Sequence, residues 1–305
     1  STESAAMPPP RNILCTIDFS KHTDAVVEMG KRLAEGFKAR LILFHSVNFP
    51  SDTLHNSDAH ERTGKRRKMT RDAEARLQTL LDDAPVKPEV LVAWGDPVEA
   101  LERAVADTGT DFVVAASHGL SGFQRILMGT VIERVVRKIP CPIMVLQPNR
   151  GGCAVADPDR IRCLVAACGP NLQPDEIPLF AWDMALRFQA RLHLVHALER
   201  PVDEDILDPT AGPYAQVQEE LRRRIRWRLM DALSDVARHL DAIETAVEPG
   251  APNEVLIQYA RRHKADLVVV GVRRHGAVHK SFVGSTTDAL LRKAPCAVLT
   301  IPVPA

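Results

Sequence analysis

The sequence predicts two α/β domains in tandem, each built on a five-stranded parallel sheet flanked by helices. Three observations carry that prediction. The chain has 305 residues, about two domains' worth at roughly 150 residues each. It repeats itself: KARLILFHSV (38–47) reads against QARLHLVHAL (189–198) at an offset of 151, and GDPVEALERAV (95–105) against GAPNEVLIQYA (250–260) at an offset of 155. Each copy also alternates short Val/Ile/Leu runs with amphipathic stretches. That is the pattern of strands buried on both faces and joined by right-handed helical crossovers.

In the first copy the apolar runs fall at 12–17, 41–47, 90–93, 112–115 and 143–146. The helices between them fall at 23–38, 59–81, 98–106 and 131–138. The second copy repeats the plan from 162 to 303. There TDFVVAASHG (110–119) reads against ADLVVVGVRR (265–274), and MGTVIERVVRKIPCPIMVL (128–146) against VGSTTDALLRKAPCAVLTI (283–301). A Gly/Pro/Asp-rich stretch, QPNRGGCAVADPD (147–159), separates the copies and reads as a linker. The expected domains are therefore 8–148 and 160–303. The last apolar run of each copy is bracketed by prolines, which suits a strand at a sheet edge.

Composition narrows the function classes. Hydrophobic residues make up 45% and charged residues 26%, so a folded core is expected rather than disorder. Lys+Arg and Asp+Glu are both 39. That balance gives no whole-molecule attraction to nucleic acid or to an anionic membrane. No apolar run approaches the ~20 residues of a membrane span. The start, STESAAMPPP, lacks a basic stretch followed by an apolar one and reads as a frayed tail without a secretory signal. The six cysteines include no C-x-x-C pair. Most lie inside apolar runs, so reduced thiols in the cytoplasm are expected, with no zinc site.

Chemistry belongs outside the carboxyl ends of the strands, where open parallel sheets bind ligands. Two loops of the first copy stand out there. Asp18-Phe19-Ser20 follows the first strand directly. A carboxylate at that place can accept from ribose hydroxyls, or the Asp and Ser can simply start the next helix. The second loop, Ala116-Ser117-His118-Gly119-Leu120-Ser121-Gly122, leads on to Gly129-Thr130 at a helix start. Glycines allow close backbone approach, and a helix N-terminus suits phosphate. Thr130 and Glu133 also form a capping-box pair, so Thr130 can cap its own helix. The loop is neither a Walker A sequence nor G-x-G-x-x-G.

Taken in order, these signals become specific. Asp18 follows strand one, His45-Ser46-Val47 closes strand two, and Gly95-Asp96-Pro97 precedes the third helix. Ser117-His118-Gly119, nine residues, and Gly129-Thr130 then precede a Pro140-Cys141-Pro142 strand. The chain resembles the universal stress protein family, and its doubling resembles the tandem members, over nearly everything from Arg11 to Val303. The resemblance implies two flavodoxin-like (adenine nucleotide alpha hydrolase-like) domains. Members with the pattern G-x2-G-x9-G-[S/T] bind ATP, so it implies a stress-response protein holding ATP, with Mg, in the first domain. Asp18 would hold the ribose, the Val47 backbone would face adenine, and Gly119, Gly129 and Thr130 would cradle phosphates. Ala116, Ser117, His118 and Val131 belong to the same binding stretch, with Ala116 standing where the pattern has its first glycine. No catalytic residue and no metal ligand is implied. Paired terminal strands in related dimers imply an intramolecular pseudo-dimer, with a further homo-oligomer open. Two other readings stay open: a nucleotide-free scaffold or interaction protein, and an ATP-hydrolysing enzyme.

The second copy departs from this pattern. By offset, Asp18 becomes Cys168, His118 becomes Arg273 and Gly119 becomes Arg274, while Gly271 and Gly284-Ser285 persist. The second domain is therefore expected to be structural or regulatory. Arg273, Arg274 and Lys280 read as solvated or paired side chains, with another anion as the alternative. Ser285-Thr-Thr-Asp288 reads as a capping signal. Lys65-Arg66-Arg67-Lys68 and the run Arg222–Arg228 have acidic neighbours and read as wet helix faces rather than a nucleic-acid patch. Trp227 is expected to anchor its helix in the core. His45 and His196 occupy matching places after strand two, which suggests a hydrogen-bonded structural role. A nucleophilic Cys168–His196 pair is the rival reading.

Overall fold

The computed structural model describes residues 8–47, 59–80, 88–117, 130–147, 161–169, 176–199, 213–231, 233, 243–273 and 284–303. The chain divides into two compact units, Pro9–Asn149 and Arg150–Ala305. The first runs β1 (Asn12–Thr16), α1 (Thr23–Phe37), β2 (Arg40–Val47), α2 (Ala59–Thr79), β3 (Glu89–Trp94), α3 (Pro97–Thr108), β4 (Phe112–Ala116), α4 (Thr130–Lys138) and β5 (Ile143–Leu146). The second runs β6 (Cys163–Ala167), α5 (Glu176–Phe188), β7 (Arg191–Leu198), α6 (Pro213–Asp231), β8 (Ile243–Pro249), α7 (Pro252–Arg262), β9 (Leu267–Arg273), α8 (Ser285–Lys293) and β10 (Ala297–Val303).

Each unit holds five parallel strands, in the order β3-β2-β1-β4-β5 and β8-β7-β6-β9-β10. The predicted α/β architecture is borne out element by element. The chain winds outward from β1 to β3, then returns to place β4 on the other side of β1. That reversal is the topological switch point, and it leaves a crevice at the carboxyl ends of β1 and β4. The apolar runs became central strands because both faces are covered: Ile13, Leu14, Cys15, Phe112, Val113 and Val114 are fully buried. Gly30 lets α1 lie against β1, since a Cβ there would overlap the Cys15 thiol.

The strand starts are tied identically in both copies. Asp111 accepts from the backbone N–H of Arg11 and Asn12, and Asp266 accepts from those of Arg162 and Cys163. The registers also give the correct internal alignment. Asn12 stands opposite Arg40, and Cys163 opposite Arg191, an offset of 151 for β1 and β2. Ile13 faces Phe112, and Leu164 faces Leu267, an offset of 155 from β3 onward. The counterpart of Asp18 is therefore Gly169, and Cys168 matches Ile17. The expected pairing of Asp18 with Cys168 was one residue out.

Helix ends follow local chemistry. α3 extends two residues past its predicted end, to Thr108, and stops at Gly109 with φ 62. Asp96 caps its start, accepting from the N–H of Val98 and Glu99. α8 differs from the expected capping signal: Gly284, at φ 88, is the N-cap, Ser285 is already helical, and no side chain caps the end. Asp288 instead pairs with Arg292 one turn on. Trp227 also departs from expectation, being 66% exposed. Ile225 and Leu229, four residues apart, form the buried stripe of α6. A residue two positions from each lies about 200° around the helix.

Candidate functional site

The backbone leaves the first sheet at its switch point. Ile17 N–H still bonds Phe44 O at 2.7 Å, and then the chain turns out through Asp18. Asp18 Oδ1 accepts from Ser20 N–H at 3.0 Å, and Ser20 Oγ accepts from His22 N–H at 3.2 Å. The tripeptide thus forms turns ahead of α1 but does not cap it: the N-cap is His22, with no side-chain cap. The first turn uses only one carboxylate oxygen of Asp18. Oδ2 is buried and has no hydrogen-bond partner among the described residues. A buried acceptor left unpaired costs about 1–3 kcal/mol, so this oxygen is a standing demand for a donor.

Phe19 adopts φ 57, the left-handed region that side chains rarely enter. Its ring lies 4.6 Å from the His45 ring and 3.8 Å beneath the Arg76 guanidinium. His45 Nδ1 donates to Ile17 O at 2.7 Å, because a carbonyl can only accept. Burial lowers the His45 pKa and the Arg76 cation lowers it further, against the Ile17 carbonyl and Asp18, which raise it. His45 thus pins the end of β1, as His196 does through Cys168 O at 3.1 Å in the second unit. This is the structural role expected of the pair. His196 Nδ1 is spent on that carbonyl, while the Cys168 thiol points to Ala166 O at 3.7 Å. The nucleophilic pairing does not form.

Several other predicted positions gather at the same edge. Val47 ends β2 beside β1, and its carbonyl accepts Gly95 N–H at 3.2 Å, which leaves one lone pair. Ala116 ends β4 opposite Leu146, and Ser117 N–H bonds Leu146 O at 2.9 Å. Thr130 and Val131 open α4. A narrow crevice between these elements is lined by Thr16, Ile17, Ser46, Pro97, Ala115 and Val135. His118, Gly119 and Gly129 lie outside the described residues. So do Arg274 and Lys280, while Arg273 is exposed at the end of β9.

Gly95-Asp96-Pro97 proves to be scaffold. Gly95 takes φ 117, and Asp96 holds the α3 start while receiving Arg134 through two hydrogen bonds of 3.0 and 3.2 Å. Burial pushes the Asp96 carboxyl up, but Arg134 and the two N–H donors outweigh it and hold the pKa below its ordinary value. Sequence reading missed Phe19 and Arg76. Arg76 is one of many charges on a polar helix, and no spacing distinguishes it. In the second unit, Gly169 supplies no carboxylate at the place of Asp18. Gly271 packs closely, since a Cβ there would stand 2.6 Å from Ile177 Cδ1, the tip of a flexible side chain.

Comparisons with known proteins show the family and the fold. The profile of the Universal stress protein family matches residues 10–147 and again 165–302. A universal stress protein of Thermus aquaticus is 24% identical over 137 residues, 45% of this chain and 98% of its own length. One from Mycobacterium tuberculosis is 27% identical over 192 residues, 62% of this chain and 61% of its own length. The crystal structure of a universal stress protein from Archaeoglobus fulgidus shares the fold at 20% identity. Its TM-score is 0.66, and the match covers 95% of this chain and 98% of that one.

Proposed function

We propose that this chain, which belongs to the universal stress protein family twice over, binds an adenine nucleotide in its first unit only. The family carries the stress-response role. The observation that carries the nucleotide reading is Asp18 Oδ2, a buried acceptor without a partner among the described residues, at the sheet's switch point. Ribose hydroxyls are the donors that such an oxygen suits. Asp18 would hold the ribose, and the remaining lone pair of the Val47 carbonyl would face the adenine amine. The first turn of α4, at Thr130 and Val131, would offer N–H groups to phosphates carrying Mg. Arg76 adds a cation at the rim. Gly169 lacks the carboxylate, so the second unit serves as a structural or regulatory partner.

The same reading pairs the two units through their terminal strands as an internal pseudo-dimer. It places the protein in the cytoplasm, where its buried free thiols stay reduced. Burial holds those thiols protonated: Cys141 is pushed up to about 12 and Cys163 to about 11. No helix among the described residues is long and apolar enough to cross a membrane.

Titration calorimetry of ATP, with Mg present, tests the proposal. About one site per chain is expected. Asp18→Ala is expected to weaken binding at least tenfold, about 1.4 kcal/mol, without unfolding the protein by circular dichroism. Two equal sites, or unchanged affinity in a folded variant, would overturn it. No binding at all would leave the nucleotide-free scaffold reading.

A further inference from the structure

The second unit carries a side-chain cluster that its twin lacks, at the opposite edge of the sheet from the strand ends. His193 is the third residue of β7, Glu244 the second of β8, and His263 follows the last residue of α7. One ligand atom from each lies within 4.8 Å of the other two. His193 Nδ1 stands 3.5 Å from Glu244 Oε2. Its imidazole is wholly inaccessible, and Nε2 has no hydrogen-bond partner among the described residues. Tyr259 stacks on the His263 ring at 4.1 Å, nearly parallel, and its hydroxyl meets His193 Nδ1 at 3.0 Å.

The duplication supplies a comparison within the molecule. By the 151 and 155 offsets, the first unit has Ile42, Glu89, Ala104 and Thr108 where the second has His193, Glu244, Tyr259 and His263. Ile42 is fully buried, and Glu89 pairs with Arg40. The scaffold therefore folds with an aliphatic residue at the first position, and the buried histidine is not needed to close the core. Three substitutions in the second copy converge on one place and set a buried imidazole beside a carboxylate and a second imidazole.

We propose that His193, Glu244 and His263 form a binding site for a zinc-class divalent cation. Two imidazole nitrogens and one carboxylate select a borderline transition ion over magnesium or calcium, which take oxygen ligands. In tetrahedral zinc geometry, ligands about 2.0–2.1 Å from the ion stand about 3.4 Å apart. The His193–Glu244 separation of 3.5 Å already meets this. His263 and the exposed Glu244 side chain can close the remaining gap, because neither is locked in the core. On binding, the ion replaces the Tyr259 hydroxyl at Nδ1, and Tyr259 keeps the His263 ring oriented. A surface hollow lined by Arg162, Arg191, His263, Lys264 and Asp266 gives access from solvent. The ion would join β7, β8 and α7 and leave a fourth coordination position open.

The test uses the full chain, stripped with a chelator and then titrated with zinc sulfate against a chromophoric competitor. One equivalent is expected to bind. Cobalt loading should give the visible absorption of a four-coordinate nitrogen/oxygen site. His193→Ala opens a core cavity and can simply unfold the unit, so the deciding variants are Glu244→Gln and His263→Ala. Each is expected to weaken zinc binding at least tenfold, to diminish the cobalt bands, and to leave ATP titration unchanged. Zinc affinity unchanged in both folded variants, or no stoichiometric binding by the parent chain, would overturn the proposal.

Discussion

Asp18 and His45 sit one peptide apart in space, yet the sequence exposes them unequally. Asp18 was legible because it directly follows a buried apolar run, at the strand end where such sheets bind ligands. His45 was legible as structural because His196 repeats it. The conformation of Phe19 was not legible, since nothing in its side chain favours φ 57. It is held by rings and charges brought from β2 and α2. The alignment of Asp18 with Cys168 failed for a related reason: only hydrogen-bond register, not residue likeness, fixes which positions correspond. His45 also sets a pH dependence. Its folded pKa lies below the ordinary 6.5, burial being the largest cause. The unfolded chain therefore takes up a proton that the folded chain resists. The stability this represents is present above pH 6.5 and is lost as pH falls from there through the folded value. In urea unfolding across that range, His45→Gln is expected to flatten the slope, whereas His22, shifted the same way, still contributes. An identical slope in the variant would show that His45 is not the group responsible.

The central strands were legible almost to the residue because both their faces are buried, whereas β3 is half-buried throughout and β8 buries only Val247. α2 was marked less sharply. Among its described residues the core takes only Ala73 and Leu77, and most of the others are polar or charged. Its predicted end at 81 falls outside the described residues, and the helix closes at Thr79. Caps were legible in kind but not always in place. Asp96 caps α3, whereas Ala251, its counterpart, leaves α7 with no side-chain cap. Replacing Asp96 by Ala is expected to cost about 1 kcal/mol from the cap, with a further small loss from Arg134, whose exposed pair is screened. The pH signature has a defined sign. The Asp96 carboxyl is held below 3.8, so its contribution is full above that value and is lost as pH falls through the lowered one. Chemical denaturation at neutral pH and in acid checks both statements. A variant equal in stability to the parent at neutral pH would remove the capping role.

Each unit owns a complete five-stranded sheet and its own buried core, so a fragment covering residues 8–148 is expected to fold alone. If terminal strands pair as proposed, that fragment presents β5 as an apolar edge and should associate as a homodimer. Light scattering over a concentration series reads this directly. A folded fragment that stays monomeric throughout would remove the pseudo-dimer from the proposal. The doubling and the fold class were legible because repeats and periodicity survive divergence. The cluster of His193, Glu244 and His263 was not, because its residues come from two strands and a helix end that become neighbours only in the folded unit. The two offsets have a consequence for how such a chain can change length. The second copy carries four extra residues, and every one falls between the end of β2 and the start of β3, in the crossover bearing α2 or α6. Everywhere else the copies keep step, since one added residue would turn a strand's side chains to the wrong face. The length difference between the copies is therefore confined to one crossover in each unit, where a longer loop costs little. A change of length in that crossover leaves the pairing of every strand in its own sheet unshifted.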